Sequence, residues 1–87
     1  MKYLVFALKD VKVEFMSPFI KQNQAQAIRD FAQAVRDKEP NILNKTPEDI
    51  ELWSLGEYDS VTGLILPNKD GSKFVVKALD YVIKDVV

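Results

Sequence analysis

From Tyr3 to Leu8 every side chain is aromatic or aliphatic: Tyr3-Leu4-Val5-Phe6-Ala7-Leu8. A run that is apolar at both parities predicts a strand covered on both faces, and so an interior place in a sheet, with Leu4, Phe6 and Leu8 turned toward the helices. Beyond Lys9-Asp10 the pattern becomes alternating. Val11, Val13 and Phe15 share one side and Lys12 and Glu14 the other, which predicts a half-exposed second strand with Phe15 in the core. Lys9-Asp10 reads as a bulge or tight turn between the two, and Pro18, lacking an amide hydrogen, closes the second run.

The period then changes to that of a helix. Asn23 and Gln26 have capping-box spacing, and Ile28, Phe31 and Val35 fall at i, i+3 and i+7, predicting a helix over residues 24 to 37 that ends before Pro40. Thr46-Pro47-Glu48-Asp49 combines an N-cap hydroxyl, a proline at the first helical position and acids in the first turn, enough for a single helical turn. Glu51 to Tyr58 and Gly63 to Leu66 read as a hairpin around Asp59-Ser60-Val61-Thr62, ended by Pro67. After the turn residues Asn68 to Gly71, Val75, Leu79, Val82, Ile83 and Val86 match helical spacing, with Ser72 as the cap. Their β-branching favours the rival reading, a fifth strand over residues 73 to 83. The fold expected is a single α+β domain over residues 1–87, an antiparallel sheet in the order strand, strand, helix, strand, strand, helix, with the helices mainly on one face.

Composition narrows the chemistry. The 87 residues hold no cysteine and no histidine, which excludes disulfides, thiol nucleophiles, histidine-based dyads and triads and the common zinc sites. Acidic residues gather at Glu48, Asp49, Glu51, Glu57 and Asp59, without calcium-loop spacing or a second catalytic group type, so neither an enzyme nor a cofactor is expected. The apolar run at residues 3 to 8 is shorter than a signal-peptide core or a membrane span, and the chain is expected to act where it is made. Net charge is −1, too little to draw the whole molecule onto nucleic acid, yet it is uneven. Residues 1 to 38 hold seven Lys/Arg against four Asp/Glu, and residues 39 to 68 hold one against six.

Two features suit nucleic-acid binding. Gln22, Gln26, Arg29, Gln33 and Arg36 recur at steps of four and three, forming a polar stripe opposite the apolar face of the helix, and arginine and glutamine match phosphates and base edges. An ordinary solvated face has the same appearance. Aromatics interleave with lysines between Lys9 and Lys21, where Phe19, between Pro18 and Lys21, is the ring most expected to be exposed; Trp53 on the hairpin is either core or a second stacking surface.

Several blocks carry a family pattern: Val5-Phe6-Ala7-Leu8-Lys9-Asp10-Val11-Lys12, Ser17-Pro18-Phe19, Gln26-Ala27-Ile28-Arg29-Asp30-Phe31, and Pro47 through Asp59. In this order they resemble the small nonstructural protein of gokushoviruses, microviruses with circular single-stranded DNA genomes, over about residues 3 to 67. The resemblance implies a non-virion, non-enzymatic protein of the infected bacterial cytoplasm, described as DNA-binding or as assisting the shift from genome replication to packaging. It brings no catalytic residues. Two functions follow as expectations. In the first, Lys9, Lys12, Lys21, Arg29 and Arg36 contact phosphates of single-stranded DNA while Phe19 and Trp53 stack on bases, without sequence preference. In the second, the chain is an adaptor whose acidic hairpin engages a replication, host or capsid-assembly protein. Either is compatible with a homodimer formed along an open sheet edge, at the second strand or at Gly63 to Leu66.

Overall fold

The computed structural model describes residues 1–83. Along the chain lie β1 (Lys2–Asp10), β2 (Phe19–Lys21), α1 (Gln24–Val35), α2 (Ile42–Lys45), β3 (Ile50–Asp59), β4 (Ile65–Pro67), β5 (Lys73–Lys77) and a 3₁₀ turn (Ala78–Tyr81). All strand pairings are antiparallel. As its two-sided apolar run requires, β1 is interior, between β2 and β3. The far side of β3 is shared: β5 pairs with residues 51–54 and β4 with residues 56–58.

Leu4, Phe6 and Leu8 face the helices, and Phe6, Ile50 and Leu52 are fully buried at the centre of a core completed by Ala27, Phe31 and Val35 of α1, Leu43 of α2 and Ala78. Removing each large side chain from water contributes about 1.5–3 kcal/mol, which holds so small a domain together. Two details let the sheet bend around this core. Val5 lies opposite Gly56 but Phe6 lies opposite Ser54, leaving Leu55 as the extra residue of a bulge. At Gly56 a Cβ would run into the Leu66 carbonyl, so only glycine lets β4 approach.

Several elements differ from the sequence expectation. Residues 11–15 form a turn rather than a strand, because Asp10 satisfies its neighbours locally. Its side chain accepts from the Lys12 amide at 3.0 Å and its carbonyl from the Val13 amide at 3.0 Å. The Val11 amide instead reaches the Asp49 carbonyl, and only the isolated bridge between Lys9 and Phe15 survives of the expected ladder. Pro18 therefore precedes the true second strand, where its missing amide hydrogen costs nothing. Next, the short helix begins earlier than the Thr46-Pro47 signal. Asn41 caps it, accepting from the Leu43 and Asn44 amides while Asn44 returns a bond to the Asn41 amide, and residues 47–49 are only a turn. The first helix stops at Val35, two residues short, with Arg36 as its C-cap. Finally, the last element is no helix: the β-branched stretch pairs with β3 as β5 over Lys73–Lys77, and the chain then closes in a single 3₁₀ turn. The rival strand reading thus holds for its first half. Val86, also assigned to the expected helix, lies outside the described residues.

The hairpin turn forms where its chemistry predicts, but the returning strand is Ile65–Pro67 rather than Gly63 to Leu66, because Gly63 is held in the turn and Pro67 still pairs with Gly56. The Gly63 amide bonds the Asp59 carbonyl at 2.7 Å, with Gly63 at φ +77°, and the Asp59 carboxylate accepts from the Val61 amide. Among the described residues, no helix is long and apolar enough to cross a membrane.

Candidate nucleic-acid interface on the uncovered sheet face

Both helices pack on one side of the sheet, so the opposite side has to cover itself. Strand alternation places Tyr3, Val5, Ala7 and Lys9 of β1 there, together with Glu51, Trp53 and Tyr58 of β3 and Phe74 and Lys77 of β5. Val5 and Ala7 are nevertheless buried, because larger side chains close over them.

Those side chains form a chain of rings. Phe15 meets Trp53 edge to face at 5.6 Å and 85°, and Trp53 meets Phe74 in the same way at 6.0 Å and 79°. Such contacts are worth about 0.5–1.5 kcal/mol each beyond the area they bury. The Lys9 ammonium stands over two of the rings, 4.8 Å from the Trp53 centroid and 5.0 Å from that of Phe15. The indole Nε1 donates to Glu51 Oε1 at 2.9 Å, fixing the ring plane. Cross-strand pairing then sets Lys9, Glu51 and Lys77 in one row across three strands. Yet the cluster is not closed. Phe15 retains 39% of its exposure and Phe74 49%, so their rings reach solvent on either side of the more covered Trp53. Toward β4 the same face continues as an apolar depression of about 330 Å³ walled by Val5, Pro18, Ile20, Tyr58 and Ile65.

The structure divides the residues singled out in the sequence. Lys9 and Trp53 come together on the open face. Lys12 lies in the turn after β1, its ammonium 3.3 Å from Asp49. Phe19, expected to be exposed, is instead half-buried against the core on the helix side, 6.3 Å from Phe6, because its strand position pairs with that of Phe6. Lys21 is spent on Asp30 at 2.7 Å, and its hydrogen bond holds the Asp30 carboxyl below its ordinary pKa. Arg36 donates to the Tyr81 carbonyl at 3.0 Å and lies over the Tyr81 ring, while Arg29 is exposed on α1. The helical stripe and the ring cluster therefore occupy opposite layers. On the helix side single cations lie over single rings, Lys21 over Phe19 at 5.8 Å and Arg36 over Tyr81 at 5.6 Å, whereas on the open face Lys9 lies over two rings of a three-ring chain.

Phe15 and Phe74 were not among the expected site residues. Phe15 shares parity with Val11 and Val13, which points to the core until the Asp10 turn breaks the strand. Phe74 was hidden in a stretch read as helix, although its β-branched neighbours carried the signal for the strand that aligns it with Trp53. The acidic cluster also separates. Asp49 pairs with Lys12, Glu51 holds the indole, and Asp59 closes the hairpin, its carboxyl pKa lowered mainly by the Val61 amide.

Over residues 3–81, nearly the whole described chain, the sequence matches a family model described as Phage ORF5 protein. Neither a curated protein nor a solved structure matches it.

Proposed function

The chain belongs to the Phage ORF5 protein family, and for this phage protein we propose single-stranded DNA binding on the uncovered sheet face, without catalysis, in the cytoplasm of an infected bacterium. The observation that carries the proposal is the ring chain Phe15–Trp53–Phe74, exposed at its two ends, with Lys9 over Phe15 and Trp53. Unpaired bases offer an apolar face of the same size as these rings, and each base stacked on an aromatic side chain contributes about 1–3 kcal/mol with little regard to sequence. Lys9 and Lys77 flank the rings and meet the backbone phosphates between stacked bases. A duplex keeps its base faces stacked internally and gains only the phosphate contacts, so single strands are preferred. The gokushovirus resemblance supports this reading, since a single-stranded DNA genome needs such a binder during its replication and packaging. Binding is weak and sensitive to salt, because few cations take part and the net charge is −1.

Anisotropy titration of a labelled single-stranded oligonucleotide tests the reading. Phe15→Ala with Phe74→Ala is expected to weaken binding at least tenfold at fixed salt, since a single lost stack of about 1.4 kcal/mol already amounts to that factor. Unchanged affinity in the folded double variant would refute it.

A further inference from the structure

We infer that a second copy of this chain pairs with the free edge of β4, centred on Ile65. In an antiparallel ladder successive residues address alternate sides. The Leu64 carbonyl accepts the Asp59 amide at 2.9 Å and Leu66 lies opposite Glu57, so both address β3. Ile65, between them, directs its N–H and C=O toward the open edge, and two copies related by a two-fold axis exchange two backbone hydrogen bonds there.

The flanking chemistry selects the partner. Leu64, Ile65 and Leu66 are 58%, 66% and 55% exposed, an apolar edge of the kind proteins ordinarily blunt with charge or a bulge. Residues 61–68, Val-Thr-Gly-Leu-Ile-Leu-Pro-Asn, carry no charge. An uncharged apolar strand suits this edge best, because it buries Leu64, Ile65 and Leu66 without desolvating the Lys2, Glu57 and Asp59 charges that border Leu64 and Leu66 on one face. The same segment of a second copy meets this condition where the two strands pair, with Ile65 beside its mate and Leu64 facing Leu66. Pro67 is the next residue turned outward, and without an N–H it ends the ladder. Pairing thus uses up the edge and closes at two copies rather than growing into a filament.

Symmetry gives the pairing a consequence. An axis relating antiparallel edge strands runs perpendicular to the sheet, so the uncovered faces of both copies lie on the same side. Two ring clusters then share one continuous surface. The pairing itself is independent of DNA.

Sedimentation equilibrium of the full chain without DNA, across the micromolar range, tests it. A concentration-dependent rise from 9.9 kDa toward twice that mass is expected. Ile65→Lys, which sets two ammonium groups against each other at the axis, is expected to hold the chain at the monomer mass, with folding checked by its amide spectrum. Because the chain has no cysteine, Ile65→Cys places a sole thiol beside its symmetry mate, and copper-phenanthroline oxidation is expected to yield a covalent dimer; Val13→Cys, exposed elsewhere, is not. A 9.9 kDa species at every concentration, or a dimer that survives Ile65→Lys, would overturn the inference.

Discussion

The two faces of the β1–β3 sheet are built from the same residue classes but solve burial differently. On the helix side Phe6, Leu52 and Ile50 disappear under α1, α2 and the 3₁₀ turn, with Leu4, Leu8 and Phe19 partly buried around them. On the other side nothing from the fold arrives, so Phe15, Trp53 and Phe74 lean on one another and Lys9 covers what remains. A face that covers itself with rings and a cation leaves Phe15 and Phe74 partly open to solvent. The contrast separates residues that hold the fold from residues free to serve it.

Stability gives the largest expected difference between the faces. Phe6→Ala leaves a cavity under two helices and is expected to cost about 3–5 kcal/mol in denaturant unfolding, whereas Phe74→Ala removes a ring already half in solvent and is expected to cost about 1 kcal/mol. Equal costs would mean that the open face is a second core.

Next in size is the salt response. Removing two phosphate contacts flattens the slope of log affinity against log salt by about 1.4 for a single strand, at about 0.7 each. If DNA lies on the ring face, Arg29→Ala with Arg36→Ala leaves that slope unchanged, whereas Lys9→Ala with Lys77→Ala reduces it by the full amount. The reverse result would return the site to the helical stripe.

The smallest effect concerns the helix side alone. Asp30 titrates below its ordinary value because Lys21 donates to it, so this interaction contributes stability above the unfolded carboxylate pKa and loses it as pH falls through the lower, folded one. Carboxyl chemical shifts followed against pH are expected to show Lys21→Ala moving the Asp30 midpoint upward. DNA affinity at neutral pH should stay unchanged.

Much of the covered face could be read from the chain. The two-sided apolar run at residues 3 to 8 required an interior strand, and the Ile28, Phe31, Val35 spacing required a helix to cover it. The open face was less legible because it depends on pairing. Trp53 acquires its partners only through the bulge that brings Phe74 opposite it, and Phe15 reaches it only after Asp10 turns the chain back. Phe19 misled for the same reason. Its setting beside Pro18 and Lys21 suggested exposure, but its register partner, Phe6, carries it into the core.

The most direct test uses the only tryptophan as a reporter. Two-dimensional amide spectra recorded as an unlabelled single-stranded oligonucleotide is added follow the Trp53 indole N–H, held by Glu51, alongside the backbone amides of Phe15 and Phe74 on one face and of Lys21 and Arg29 on the other. The Trp53, Phe15 and Phe74 signals are expected to shift together along one saturating curve while Lys21 and Arg29 stay in place. Saturating shifts at Lys21 and Arg29 with a silent Trp53 indole would contradict binding on the ring face.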